Sequence, residues 1–136
     1  KSCTQGFSTE GKKVALIGHL VLQPDALKGA SEVYIIERDP KPGDYPDSAC
    51  EYILPESDIV IMTASAAINK TLPRLLELSK NAVSIIIGPT TPLCPELKAL
   101  GIDRLSGMVV RDKAAFEAWA TASHGSPYKH GDVFMI

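Results

Sequence analysis

The residues able to do chemistry stand in short polar clusters, each directly after an apolar run. Gly18-His19 comes first, then Glu37-Arg38-Asp39 with Asp44 close behind, then Thr63 to Thr71, then Gly88-Pro89-Thr90-Thr91-Pro92. Among them His19, Glu37 and Asp44 supply an imidazole and two carboxylates. Asn69, Thr71, Thr90 and Thr91 offer an amide and hydroxyls. Ordered groups of that kind before a helix suit ligand binding better than catalysis. The flanking prolines stiffen the Thr90-Thr91 pair, and Gly88 admits close backbone approach. The expected ligand-binding set is therefore Gly18, His19, Glu37, Arg38, Asp44, Asn69, Thr71, Gly88, Thr90 and Thr91. No catalytic residue is assigned.

Each member also has a plainer reading. His19 can be a ligand, a base or a cap on the next turn. Glu37 can pair with Arg38 or Lys41, and Asp44 can close its own turn after Gly43. Asn69 or Thr71 can cap the helix that follows. Cys94, before Pro95, reads as a stand-in for a capping serine, and Cys50 as core. Gly18 is followed by His, Leu, Val, Leu and Gln, so the glycine-rich turn of a dinucleotide site is absent. The sequence has no Walker loop, no G-x-S-x-G elbow, no H-E-x-x-H and no cysteine cluster.

The elements that must position these clusters follow from periodicity. Residues 13–19, 32–39, 58–63, 83–87, 105–110 and 133–136 are β-branched apolar runs and read as strands, several continuous enough to be buried on both faces. Leu72, Leu75, Leu76 and Ser79 share one helical face, and Pro73 is tolerated in the first turn. Short helices are expected after Asp47, which can cap the first, and after Pro95, the latter closed by Gly101, with a longer one capped by Asp112 and carrying Phe116, Trp119 and Ala120. Pro24 to Gly29 has room for little more than a turn or two of helix, and 64–71 reads as a loop of small residues.

Alternating strands and helices predict an α/β fold: a Rossmann-like three-layer sandwich, with a mostly parallel sheet of five to six strands and helices on both faces. Residues 1–11 read as a linker or arm and 12–136 as the domain. Parallel strands point one way, so the polar clusters past their C-terminal ends gather along one edge, where open α/β sheets bind ligands.

Composition bounds the rest. The 136 residues carry a formal net charge of −2, which gives no electrostatic basis for nucleic-acid or membrane-surface binding. No apolar run approaches the ~20 residues of a membrane span. Three scattered cysteines argue against a disulfide framework and for a reducing, cytoplasmic home. The chain opens on Lys1 and a polar lead-in, which we read as the cut end of a longer protein.

Taken together, Val-Ala-Leu-Ile-Gly-His19, Glu37-Arg-Asp-Pro with Pro42-Gly-Asp44, and Glu51-Tyr-Ile-Leu-Pro-Glu-Ser-Asp58-Ile-Val-Ile form an ordered set. Ala67-Ile-Asn-Lys-Thr71, Gly88-Pro-Thr-Thr-Pro92-Leu and Leu105-Ser-Gly107 continue it. From residue 13 to about 112 the chain resembles the C-terminal domain of a prokaryotic family named for heavy-metal chelation. The resemblance implies a Rossmann-like domain, preceded in full-length members by an enolase-N-terminal-like domain, with the site between the two. It also implies a metal or metal-chelate ligand, with His19, Glu37 and Asp44 as metal donors, since imidazole with carboxylates suits a divalent transition metal. The alternative is an enzyme domain for a nucleotide or S-adenosylmethionine-like cofactor, with Glu37 on a ribose and the Thr90-Thr91 and Asn69–Thr71 turns on anionic groups. If the chain is a fragment, an uncovered apolar patch would favour a homo-oligomer or return of the partner domain.

Overall fold

Side chains alternate across a strand with a period of two, and the Val- and Ile-rich runs of this chain bury both sets. The computed structural model describes residues 2–122 and 125–136; His124, to which no role was assigned, lies outside them. Seven strands form one sheet: β1 (Lys13–Ile17), β2 (Glu32–Glu37), β3 (Tyr45–Pro46), β4 (Ile59–Thr63), β5 (Val83–Ile87), β6 (Arg104–Val110) and β7 (Gly131–Met135). Their spatial order is β3-β2-β1-β4-β5-β6-β7. All neighbours are parallel except β6 and β7. The first six follow the Rossmann strand order, which reverses direction between β1 and β4.

The sheet is one strand wider than the sequence predicts. The addition is Tyr45–Pro46, which pairs with Ile36 and Glu37 at the sheet edge. Two residues containing a proline leave no periodic trace, and proline is tolerated there because an edge strand need not donate on both sides.

The two faces are covered differently. On one, Ala15, Ile17, Ile36, Val60, Met62, Ile86 and Leu105 meet α1 (Cys50–Ile53), α3 (Leu72–Leu78) and the 3₁₀ turns Leu54–Glu56 and Pro95–Leu100. Leu75 and Ser79 are buried on the predicted face of α3, with Leu72 and Leu76 beside them. Cys50 is core, and burial pushes its thiol up to about 11.

On the other face, Val14, Leu16, Ile59, Ile61 and Ile85 meet Cys3, Phe7, Leu20, Leu22, Ala26 and Leu27. The cover here is irregular chain where a helix was expected. Its polar groups are satisfied locally: Thr4 Oγ1 donates to the Ala26 carbonyl at 2.9 Å and Thr9 Oγ1 to that of Lys28 at 2.6 Å. The Arg104 guanidinium lies 4.6 Å from the Phe7 ring centre and donates to the Cys3 and Gln5 carbonyls. The segment read as a linker or arm is thus laid across the sheet from Ser2 to Thr9.

Three local expectations need correcting. Residues 64–71 are no mere loop, since Ser65–Ile68 form one helical turn, α2. Asp47 does not cap the turn it opens; Pro46 holds the cap position without a side-chain bond. Thr71 holds the cap position of α3 but makes no side-chain bond to it, because its hydroxyl donates to the Ala66 carbonyl at 3.3 Å. Asp112 does cap α4 (Lys113–Ala122), accepting Ala115 N–H at 3.0 Å. Gly101 closes its turn at φ 94°.

A candidate ligand site at the strand reversal

Where β1 and β4 part, their following loops leave in opposite directions and open a crevice. A cavity of about 310 Å³ sits there, lined by Gly18, His19, Glu37, Arg38, Asn69 and Thr71 from the predicted set. Leu20, Asp47, Thr63, Ser65, Ala66 and Leu75 complete the wall with Ile17 and Ile36. Thr63 and Ser65 stand in a strand-end cluster that the sequence picks out but were not among the chosen ligand residues, and Asp47 was missed.

Gly18 turns the chain out of β1 with φ 98°, in the left-handed region. That turn aims the His19 N–H at the Glu37 carboxylate, 2.6 Å from Oε1. The His19 ring meets a second carboxylate: Nε2 lies 2.7 Å from Asp44 Oδ2. Asp44 is built by its own turn. Lys41-Pro42-Gly43-Asp44 closes with Asp44 N–H on the Lys41 carbonyl at 2.9 Å, with Gly43 at φ 94°. Proline then glycine at the two central positions is the signature of a type II turn. The Asp44 side chain returns to accept Lys41 N–H at 2.8 Å and is 6 % exposed, against 40 % for His19. The Lys41 N–H, and after it His19, hold the Asp44 carboxyl below the usual carboxylate range.

The opposite wall comes from α2 and the reversal after it. Lys70 takes φ 62°, a left-handed conformation for a non-glycine residue. Thr71 N–H reaches the Ala66 carbonyl at 3.1 Å and Lys70 N–H that of Ala67 at 3.2 Å, the paired bonds of a Schellman ending. The chain reverses there, and Asn69 and Thr71 face the cavity on either side of Lys70.

The remaining predicted residues lie elsewhere. Gly88, Thr90 and Thr91 follow β5, beyond the reversal, and are not among the residues lining the cavity. Thr90 is exposed, whereas Thr91 is buried. Gly88 faces the Ala64 methyl and Thr91 Oγ1, and Gly107 faces the Thr91 carbonyl. The Thr91 end of the loop is therefore packed against β6. Cys94 does not cap either; its thiol donates to Glu96 at 2.8 Å, and that bond raises its pKa.

The three predicted metal donors converge, but not as a chelating triad. Both carboxylates spend an oxygen on His19, one on its main chain and one on its ring. Among the described residues, no group of three or more His, Cys, Asp and Glu side chains is placed to hold a metal ion. Nor is any helix among them long and apolar enough to cross a membrane.

The comparisons with known proteins bear on this site. Residues 7–132 match the model of the DUF364 family, described as "Putative heavy-metal chelation". The chain belongs to this family. A DUF364 protein of unknown function from Desulfitobacterium hafniense superposes with a TM-score of 0.85 at 41% identity, over 94% of this chain and 53% of that one. Another from Pyrococcus horikoshii gives 0.81 at 29% identity, over 92% and 54%. An uncharacterized protein of Methanocaldococcus jannaschii is 32% identical over 108 residues, which are 74% of this chain and 42% of that protein. The chain thus spans about half the length of these DUF364 relatives. Their likeness establishes the α/β fold, and the family description points to a metal.

Proposed function

We propose that the cavity between β1 and β4 binds a metal chelate, a metal ion carried by a small organic molecule. His19 supplies the protein's one donor. The observation that carries this reading is the oriented imidazole at the cavity wall, with Asp44 against its far nitrogen. A histidine that ligates a metal characteristically donates its other ring N–H to a carboxylate. Glu37 and Asp44 each have an oxygen engaged by His19, and no three His, Cys, Asp or Glu side chains among the described residues are placed around one ion. This donor set therefore suits one coordination position better than a bare ion needing three or four protein ligands. The other positions are left to the small molecule, which Thr63, Ser65, Asn69 and Thr71 can hydrogen-bond and Arg38 can pair with. We further propose that the portion present in the longer relatives, expected to be an enolase-N-terminal-like domain, completes the pocket from its open side. Val21 and Ile68, next to the lining residues Leu20 and Asn69, are 97% and 74% exposed and would be covered by it.

Calorimetric titration of tag-free protein tests the reading. Free Zn²⁺ or Ni²⁺ should bind weakly, the same ions as nitrilotriacetate complexes should bind more tightly, and His19→Ala should abolish the difference. Equal binding of free ion and complex would count against it.

A second reading has its own support. The Rossmann strand order places Glu37 at the end of β2 and in the cavity wall, where an acidic residue takes a ribose hydroxyl in nucleotide-binding relatives of the fold. Thermal-shift measurements with adenosine compounds separate the two. A ligand at 100 times its Kd adds about 2.7 kcal/mol, so a shift with adenosine compounds and none with chelates would favour this reading.

A further inference from the structure

We propose that Asp44 is a positioning residue that holds His19 in the Nε2–H tautomer, so that Nδ1 is the atom presented to the metal. The inference rests on the metal-chelate reading and gives Asp44 a role other than that of donor. An ionised carboxylate only accepts hydrogen bonds. Asp44 Oδ2 stands 2.7 Å from His19 Nε2, so in the neutral ring that nitrogen carries the proton and the lone pair falls to Nδ1. The same Oδ2 accepts Lys41 N–H at 2.8 Å, which fixes the carboxylate before any ligand arrives.

His19 is held at two points, main chain and ring, from two separate segments. Glu37, at the end of β2, takes the His19 main-chain N–H at 2.6 Å, and Asp44, from the turn after it, takes the ring. An imidazole 40 % exposed with no such partner samples both tautomers and several rotamers. Here both freedoms are removed in advance, so less ordering remains when a ligand binds. The cavity's arrangement agrees, since His19 lines it and Asp44 does not. The metal class follows from the donor. Imidazole nitrogen suits zinc, copper or nickel, whereas magnesium and calcium take oxygen ligands.

Long-range ¹H–¹⁵N correlation spectra of the metal-free chain read the tautomer directly, with the His19 signals assigned by their loss in His19→Gln. We expect the Nε2–H pattern in the unaltered protein. That spectrum needs no variant at position 44, so the test survives a variant that fails to fold. Asp44→Ala should give mixed tautomers and weaken nickel–nitrilotriacetate binding about 10–100-fold. Asp44→Asn, which keeps an oxygen in place, should retain the tautomer and most of the affinity. An Nδ1–H or mixed pattern in the unaltered protein, or an unchanged pattern and affinity in Asp44→Ala, overturns the role of Asp44 while His19-dependent chelate binding still stands. Absence of any chelate binding to the unaltered protein overturns the metal-chelate reading and this role with it.

Discussion

The Glu37 carboxylate accepts the main-chain N–H of His19 at 2.6 Å, tying the end of β2 to the first residues beyond β1. The bond crosses between parallel neighbours in register, Ile17 beside Ile36, and sets where the imidazole begins. Glu37→Ala should cost about 1 kcal/mol of stability and weaken chelate binding, while Glu37→Gln, still an acceptor, should lose less of both. Urea denaturation with parallel calorimetry checks this. An unaltered chelate affinity in Glu37→Ala would show that the main-chain anchor is not needed.

Gly18 and Gly107 are both required, for different reasons. At Gly18 a Cβ would find ordinary contacts, 3.7 Å from Thr63 Cγ2, but φ is 98°. Gly18→Ala should therefore cost about 1–2 kcal/mol, the left-handed backbone penalty. At Gly107 a Cβ would stand 2.5 Å from the Thr91 carbonyl oxygen, so the Gly88–Pro92 loop must move. Gly107→Ala should cost about 1–3 kcal/mol from overpacking and disturb that loop while leaving chelate affinity intact. Thermal melts and amide spectra distinguish a local strain from a displaced loop.

Lys70 offers the opposite case. Its left-handed conformation costs about 1–2 kcal/mol, and glycine would remove that at an entropic cost of about 0.5–1 kcal/mol. Lys70→Gly should thus stabilise the chain by about 0.5–1 kcal/mol. A lower melting temperature in the variant would mean that the lysine side chain itself supports the α2–α3 reversal.

The carboxylates fix the sign of the acid response. The Lys41 N–H and then His19 lower the Asp44 pKa, and the hydrogen bond from Arg74 lowers that of Glu51. Groups whose folded values lie below the unfolded values of about 4 add stability that is present above that range. The contribution is lost as pH falls through the folded values. Urea midpoints should therefore fall below about pH 4, and less steeply in an Asp44→Asn/Glu51→Gln double variant. A variant curve parallel to that of the unaltered protein would assign the acid sensitivity to other groups.

The β-branched runs at Val14–Ile17, Ile59–Met62 and Val83–Ile87 sufficed to place the central strands. Nothing but a buried strand satisfies their backbone while hiding side chains on both faces. The strand-end rule then drew His19, Glu37, Arg38, Asn69 and Thr71 to one edge. Composition could not foretell which loops along that edge share a wall. That depends on where the strand order reverses, a property of the crossovers and not of any local segment. Gly88, Thr90 and Thr91 have the same residue types and the same strand-end position, yet fall outside the cavity because β5 lies beyond the reversal.

The sequence by itself determined the α/β layering, the parallel direction of the core strands and the polar edge at their ends, because these follow from local periodicity and chain handedness. Tertiary structure alone decided that the Glu37 carboxylate meets the main chain of His19 and the Asp44 carboxylate its ring. Hydrogen-bond partnership is settled at the scale of an ångström, by how a left-handed glycine at 18 and a proline–glycine turn at 42–43 aim their neighbours.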